Sequence, residues 1–390
     1  MELASLRTLL RRARPGSGDF SRDVHQYNGG NKLELLPDGA AVFRSMWAAI
    51  EAAKETIHLE TYILSSDRTG LEFSKRLQEK ARTGVRVRLI FDSIGAMEIE
   101  PVFLNRLRNA GVQMLEYHPI APWRPRWAWG RRDHRKILVV DGKTAFTGGV
   151  NISDSHLSAS EGGGDWRDAH VRLEGPAAYE LDRLFRAVWF KETGRWFRSE
   201  GHPEDVRGRS LVWVAANQEF LHRFRIRAAY LNALRAAQRE VLMANAYFLP
   251  DLRVRRSLAA AARRGVSVKI LVQGRSDILS VQYASRYRWD FLLRHGVRLF
   301  EYSGSIMHAK ACDVDGVWST VGSYNMDHRS LMHNLEVNLN VLDAEFSEKV
   351  ARRLREDMAK SREITLDGWR RRPWADRVLE WFFHLFRYFF

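Results

Sequence analysis

The chain has 390 residues, 45% of them hydrophobic, which predicts two or three domains and excludes a disordered protein. It has 62 lysine and arginine residues against 47 acidic ones, and the net charge of +15 favours nucleic acid, anionic lipid surfaces or phosphate-bearing substrates as partners. A single cysteine excludes an intrachain disulfide, and no segment has the roughly 20 consecutive apolar residues that cross a bilayer.

The chain begins with a basic segment, residues 1–24. Its leucines and arginines fall on opposite faces of a predicted helix. The segment contains no continuous apolar core of the kind that a signal peptide has. We therefore expect no cleaved signal peptide. A surface helix and a weak membrane contact are equally compatible with this pattern.

The first lobe is predicted to span residues 25–200. Its first strand lies in HLETYIL (58–64), and ARTGVRVRLIFD (81–92) and LRNAGVQMLEY (107–117) each predict a helix that ends at a glycine before a buried strand. Residues 118–132 then place three tryptophans among four arginines. This loop suits a lipid headgroup interface or a nucleic-acid strand, and a purely structural loop is an equal alternative.

A second lobe, residues 201–365, repeats the same order. MANAYFLP (243–250) matches the first strand, and ARRGVSVKILVQG (262–274) and LRHGVRLFEY (293–302) match the two helix–glycine–strand units. The predicted class is α/β, with two pseudo-twofold-related lobes that each contain a mixed β-sheet flanked by helices.

Residues 366–390 leave the repeat and end in an almost wholly apolar stretch. Its polar residues are spaced by three, four and three positions, at Arg377, Glu380, His384 and Arg387. This spacing predicts a helix with one polar stripe, too short to span a membrane and suited to the membrane interface. The alternative is a helix packed on its own protein or on a partner subunit.

A short constellation occurs twice with the same internal spacing. Each copy has a histidine, a lysine, an aspartate, a glycine and an asparagine: His134, Lys136, Asp141, Gly148 and Asn151, then His308, Lys310, Asp315, Gly322 and Asn325. Two copies in one register predict two half-sites, and these predict one composite active site between the two lobes.

The residue types in each copy suit chemistry at a phosphate. Residues two apart in a strand point to the same face, so each histidine is predicted to project beside its lysine. Each Asp–Gly pair predicts a hairpin, after which small residues allow close approach. These small residues are Gly148 and Gly149, then Gly322 and Ser323. Ammonium and amide groups would hold phosphate oxygens while an imidazole attacks phosphorus.

Each histidine also requires an orienting carboxylate on its other ring nitrogen. Downstream acids at matching places predict Asp168 as the partner of His134 and Glu336 as the partner of His308. Ordinary strand-end acids are the alternative. A lysine beside each histidine disfavours a metal site, and no cofactor is predicted. The lone Cys312 is predicted to be a small strand residue and not a thiol nucleophile.

These residues resemble the HxKxxxxD signature of the phospholipase D superfamily, present here as HRKILVVD (134–141) and HAKACDVD (308–315). The resemblance covers about residues 25–360 and is closest to the short bacterial cardiolipin synthases. It implies a metal-independent exchange at a phosphodiester through a covalent phosphatidyl–histidine. The catalytic set it implies is His134, Lys136, Asp141, His308, Lys310 and Asp315.

The resemblance also implies residue roles. By analogy His134 is the nucleophile and His308 the general acid and base, although the pseudo-symmetry permits the reverse. The two lysines with Asn151 and Asn325 would bind phosphate oxygens, and the two aspartates would support loops.

The resulting prediction is a phospholipid phosphatidyltransferase that acts on anionic phospholipids and a glycerol-type acceptor. We expect peripheral attachment to the cytoplasmic face of the cell membrane, no nucleic-acid partner and no obligate oligomer. The alternative is a phospholipase D-type phosphodiesterase that uses water, because the same residues serve both reactions. A nuclease and a non-enzymatic membrane scaffold are less compatible with the apolar end and the two intact motifs.

Overall fold

The structure, a computed structural model, describes residues 18–128, 130–217 and 223–390. Most of the basic segment 1–24 therefore lies outside the described residues, and so does Trp129 of the tryptophan-rich loop. The chain forms two compact units. The first unit contains residues 28–214 and 333–338, and the second contains 215–332, 339–390 and the described residues before Asn28. Residues 333–338, which the predicted division counts with the second lobe, thus belong to the first unit.

The first unit is a mixed sheet with helices against it. Its elements in chain order are β1 (Asn28–Leu36), α1 (Gly39–Ala52), β2 (Thr56–Thr61), α2 (Arg68–Arg82), β3 (Arg86–Asp92), α3 (Pro101–Asn109), β4 (Gln113–Tyr117), β5 (Ile137–Val140), β6 (Thr144–Gly148), β7 (His170–Glu174), α4 (Pro176–Thr193) and β8 (Ser210–Asn217). The strand order is β8-β1-β7-β6-β5-β2-β3-β4, and residues 215–217 of β8 are counted with the second unit. β2, β3 and β4 are parallel, whereas β5 is antiparallel to β2 and forms a hairpin with β6.

The second unit repeats this plan. Its elements are α5 (Arg225–Ala236), β9 (Glu240–Asn245), α6 (Leu252–Arg263), β10 (Ser267–Gln273), α7 (Leu279–Arg286), α8 (Trp289–Arg294), β11 (Arg298–Tyr302), β12 (Lys310–Val314), β13 (Trp318–Gly322), α9 (His328–Met332), β14 (Glu336–Leu342), α10 (Ala344–Ala359), β15 (Ser361–Ile364), α11 (Leu366–Arg370) and α12 (Trp374–Leu385). The strand order is β15-β11-β10-β9-β12-β13-β14, and residues 336–338 of β14 are counted with the first unit. The α/β class with mixed sheets flanked by helices is confirmed.

The duplication extends to the register of the strands. Ile57 of β2 pairs with Val140 of β5, and Val241 of β9 pairs with Val314 of β12. Val140 and Val314 each lie six residues after the histidine of their motif. The motif hairpin is therefore paired at the same point of β2 in the first unit and of β9 in the second.

Glycines end the helices at the four predicted positions. Gly84 has φ +92° and Gly265 has φ +89°, and Gly111 and Gly296 are also left-handed. A Cβ atom at Gly84 or Gly265 would meet nothing within 4 Å. Glycine is therefore required there by the backbone conformation and not by lack of space.

The two strands that the sequence predicts as the first of each copy, β2 and β9, end earlier than predicted, and in the first unit β1 precedes β2. β2 stops at Thr61 and β9 at Asn245, so Tyr62 and Tyr247 lie just beyond a strand end. Pairing with the motif strand also stops there, at Glu60 in β2 and at Asn245 in β9. The two tyrosines therefore lie outside the paired strands and contact the motif histidines.

The last helix, α12, packs on α7 in the same unit. Two members of its predicted polar stripe, Glu380 and His384, are buried, and Glu380 is only 1% exposed. Both oxygens of Glu380 accept hydrogen bonds from the Arg372 guanidinium. The helix therefore contacts its own protein through its polar face. Among the described residues, no helix combines the length and the apolar character that a membrane crossing requires.

Candidate active site

The two motif histidines lie at the approach to a strand and not inside one. β5 begins at Ile137, three residues after His134, and β12 begins at Lys310, two residues after His308. The prediction that each histidine and lysine share a strand face is therefore wrong in its local geometry. His134 is instead fixed by a backbone hydrogen bond, in which its N–H donates to the carbonyl of Leu335 over 3.0 Å.

Each motif lysine folds back on its own histidine. Lys136 Nζ donates to the carbonyl oxygen of His134 over 2.6 Å, and Lys310 Nζ makes the same contact with the carbonyl of His308. Both lysines are buried. Since a buried ammonium is stable only with hydrogen-bonding or anionic partners, this contact holds each lysine against the backbone of its motif histidine.

The orienting carboxylate of His134 is Glu336. Both of its carboxylate oxygens lie 3.1 Å from Nδ1 of His134, and Glu336 is fully buried. The predicted pairing of Asp168 with His134 is therefore wrong. Sequence spacing misled because residues 333–338 belong to the unit of the first motif. The contact fixes the Nδ1–H tautomer, so Nε2 is the ring nitrogen suited to attack.

Asp168 lies in the first unit against His156 and Gly149. One carboxylate oxygen accepts the backbone N–H of Ala169 over 2.7 Å, and the other lies 3.9 Å from Nδ1 of His156. A Cβ atom at Gly149 would lie 2.0 Å from an Asp168 oxygen. The small residue at position 149 is thus required by the close approach of this buried carboxylate.

The motif asparagines carry amide atoms that the described residues leave unsatisfied. Asn151 Oδ1 accepts the N–H of Ile63 over 3.1 Å, but its buried Nδ2 has no acceptor in the described chain. In the second motif the buried Oδ1 of Asn325 has no donor among the described residues. An unsatisfied buried amide is costly unless a ligand completes it, so the asparagines are suited to bind substrate oxygens.

The motif aspartates hold loops of their own units. Asp141 accepts the backbone N–H groups of Lys54, Glu55 and Thr56 over 2.8–2.9 Å. Asp315 accepts those of Gln238, Arg239 and Glu240 over 2.9–3.0 Å. These amides lead into β2 and β9, so the aspartates connect each motif hairpin to the strand beside it.

A buried ionic network supports the His134 segment. Arg135 Nε donates to Glu60 over 2.6 Å, and the N–H of Asp133 donates to Asp92 over 2.8 Å. Burial raises the pKa of Asp92 to about 6, although Arg132 at 3.5 Å opposes the shift. These side chains come from β2, β3 and the motif, so their contacts hold the segment around His134 against the sheet.

Sequence reasoning missed three residues near the motifs. Tyr62 meets the His134 ring edge-on at 5.0 Å between centroids, and Tyr247 stands in the same relation to His308 at 6.4 Å. Their signal was available, since both tyrosines occupy matching places in the repeated first strands. His170 is fully buried close to Asp168 and Lys136, and its burial lowers its pKa to about 3.

Comparison with known proteins agrees with the duplicated site. A family described as "Cardiolipin synthase, PLD-like domain" matches residues 46–189 and 230–358. A probable cardiolipin synthase of Bacillus subtilis is 32% identical over 91% of this chain and 72% of its own length. Cardiolipin synthase B of Escherichia coli is 37% identical over 82% of this chain and 78% of its own.

A solved structure shows the same fold. The phosphatidylserine synthase of Haemophilus influenzae superposes with a TM-score of 0.72 and covers 98% of this chain and 100% of its own, at 12% identity. At that identity the likeness concerns the fold alone. Because the family match and the relatives extend over most of the sequence, the chain belongs to the cardiolipin synthase family of phospholipase D-like proteins.

Proposed function

We propose that this protein is a phosphatidyltransferase that joins a phosphatidyl group to the hydroxyl of a second phospholipid. The observation that carries the proposal is the duplicated site, in which each unit supplies a histidine, a buried lysine and an asparagine with an unsatisfied amide atom. The curated relatives at 32% and 37% identity are named as cardiolipin synthases, which supports this reaction.

The reaction needs two displacements at one phosphorus. In the first, Nε2 of His134 forms a bond to phosphorus, the bond to the leaving alcohol breaks, and His308 gives that alcohol its proton. In the second, the acceptor hydroxyl gives its proton to His308, its oxygen bonds to phosphorus, and the phosphorus–nitrogen bond breaks. Glu336 stabilises the positive charge that the His134 ring gains in the first step.

The other motif residues hold the charge of the phosphate. Lys136 and Lys310 would place ammonium groups near its oxygens, where they stabilise the negative charge of the transition state. The Nδ2 group of Asn151 can donate a further hydrogen bond. No step requires a metal, because each proton and each displaced group has a protein partner.

The test is to incubate the detergent-solubilised protein with labelled phosphatidylglycerol, with and without phosphatidylethanolamine, and to resolve the products. Cardiolipin supports the transferase, phosphatidic acid alone indicates the hydrolase, and DNA cleavage without lipid turnover indicates a nuclease. His134→Ala and His308→Ala should each abolish turnover. His202→Ala is the matched control, because His202 is exposed and should be dispensable. Substantial activity in either motif variant would remove that histidine from its role.

We further propose that α12 attaches the protein to a membrane surface. While Glu380 and His384 of its polar stripe are buried, nine large apolar residues from Trp374 to Phe389 are exposed, with Trp374 77% and Phe389 73% exposed. This is the reverse of the arrangement that stabilises a helix in water. Acyl chains are the partner that suits such a face, and aromatic residues favour the bilayer interface.

The tryptophan-rich loop is a second candidate for membrane contact. Trp123 is 84% exposed, and Trp127 is exposed while its indole N–H donates to the carbonyl of Ile120 over 3.1 Å. Arg124 forms a bidentate ion pair with Glu116, which holds the loop in place. The described part of the loop therefore has defined contacts and exposes two tryptophan rings to solvent.

Attachment through α12 can be measured by co-sedimentation with phospholipid vesicles. Trp381→Glu with Leu385→Glu removes two half-exposed side chains, each worth about 1 kcal/mol on burial, so the partition coefficient should fall at least about 30-fold. Val206→Glu is the matched control, because Val206 is also an exposed apolar residue but lies in the first unit. Unchanged partitioning of the double variant would refute attachment through α12.

A further inference from the structure

The second unit contains a cavity of about 250 Å³ beside α12. Apolar side chains form much of its wall, among them Leu252, Met326 and Leu331. Three arginines also line it: Arg255 from α6, Arg288 from the turn between α7 and α8, and Arg387 from the end of α12. A largely apolar cavity with a convergent positive group has the character of a binding site for an amphiphilic anion.

The three arginines have no carboxylate partner among the residues that the structure describes. Within the described residues, none of them has a carboxylate oxygen within the 4.0 Å of an ion pair. Arg288 Nε donates to Nε2 of His384 over 3.2 Å, and Arg387 donates to the carbonyl of His384 over 3.1 Å. The buried Nε of Arg255 has no acceptor in the described chain. The cluster is therefore short of negative charge and of acceptors.

The acids at the cavity are engaged elsewhere. Asp251 forms an ion pair with Arg227 over 2.7 Å and caps α6, and Asp327 accepts the N–H of Ser330 over 2.7 Å. Burial and the neighbouring cations Arg288, Arg256 and Arg387 lower the pKa of Arg255, although Asp251 opposes this. A bound anion would stabilise the charged form of this guanidinium, which burial and the neighbouring cations disfavour.

The cavity lies next to the exposed apolar residues at the end of α12. Arg387 and Tyr388 line the cavity, while Leu385, Phe386 and Phe389 around them are exposed. A ligand whose phosphate lies in the cavity can therefore extend apolar chains along the outside of α12. A free phosphate would use the arginines but not this surface.

We infer that this cavity binds the headgroup phosphate of an anionic membrane phospholipid, held by Arg255, Arg288 and Arg387, while the acyl chains lie against α12. The inference rests on the proposed attachment of α12 to the membrane and adds the chemical class of the lipid. The cavity wall contains Tyr324 and Met326, which flank Asn325, but not His308 or Lys310. The bound lipid is thus a ligand additional to the phosphodiester that reacts.

The experiment compares binding of the full chain to phosphatidylcholine vesicles with and without phosphatidylglycerol. The wild type should prefer the anionic vesicles. Each cation near an anionic surface contributes about 1 kcal/mol, so Arg255→Gln with Arg288→Gln should weaken binding to these vesicles roughly 30-fold. Binding to neutral vesicles should change little, because the apolar face of α12 is unaltered.

The matched control is Arg253→Gln, which removes an exposed cation of the same helix that does not line the cavity. An equal loss in this control would show a general charge effect and overturn the inference, as would unchanged binding of the double variant. Competition by millimolar inorganic phosphate at the three arginines, without a vesicle preference, would also overturn it in favour of a free-anion site. Vesicle binding requires no turnover, so a failure of lipid transfer in detergent would refute the proposed reaction and not this site.

Discussion

The contact between Glu336 and His134 yields the sharpest prediction. Glu336→Gln keeps the shape of the side chain but replaces a carboxylate by an amide. Both oxygens of the fully buried carboxylate lie 3.1 Å from Nδ1, so no solvent is available to compensate. The amide no longer stabilises the charged imidazolium, and its N–H groups favour the tautomer in which Nε2 carries the proton. We expect kcat to fall about 10²–10⁴-fold, or about 3–5 kcal/mol of transition-state stabilisation.

The assay is initial-rate formation of cardiolipin from labelled phosphatidylglycerol, with kcat and KM resolved separately. Because Glu336 contacts His134 and not the substrate in this arrangement, KM should change far less than kcat. Glu336→Asp keeps the charge and should recover part of the rate. Glu240→Gln is the control, since it also removes a carboxylate from ion pairs, here with Lys269 and Arg355. Retention of more than a tenth of kcat by Glu336→Gln would refute the orienting role.

Three further predictions concern stability and reactivity. Asp141→Ala removes the acceptor of three backbone N–H groups, so the free energy of unfolding, measured by denaturant titration, should fall by about 3 kcal/mol. A loss below about 0.5 kcal/mol would contradict the proposed role of Asp141 in holding the loop. The pKa of His170 is lowered from 6.5 to about 3, so its contribution to stability is complete above pH 6.5 and declines as pH falls toward 3. Near pH 5 this loss is about 2 kcal/mol, and His170→Asn, which removes the titrating imidazole, should flatten the pH dependence of the free energy of unfolding. An unchanged pH profile would contradict this prediction. Burial raises the pKa of the Cys312 thiol, so iodoacetamide should leave this cysteine unmodified until the protein unfolds, as measured by mass spectrometry. Rapid alkylation of the native protein would contradict the burial of Cys312.

The behaviour of α12 shows how one sequence pattern can serve two contacts. The spacing of the polar residues predicts a polar stripe, and the structure buries two of its members, Glu380 and His384, in a helix that packs on α7. The prediction of an interfacial helix and the alternative of a helix packed on its own protein are therefore compatible. A helix that turns its polar residues inward leaves its apolar residues for another partner.

Much of the fold follows from local physics that a sequence expresses directly. Buried strands appear as apolar runs, helices end at glycines with positive φ, and the Asp–Gly pairs mark hairpins because their backbones turn there. The repeat then predicts that both halves share one plan, and the matching registers of β2 with β5 and of β9 with β12 confirm it. The six motif residues could be named because their spacing is the same in both copies.

The sequence could not determine which side chains meet. Glu336 lies 202 residues from His134, and only the assignment of residues 333–338 to the first unit brings the two together. The placement of Tyr62 and Tyr247 likewise depends on where strand pairing stops. No sequence motif identifies the cation cluster at Arg255, Arg288 and Arg387, because its members come from three separate elements of the fold. Local patterns follow from backbone geometry, whereas partners distant in the chain are chosen by packing, and packing exists only in the folded molecule.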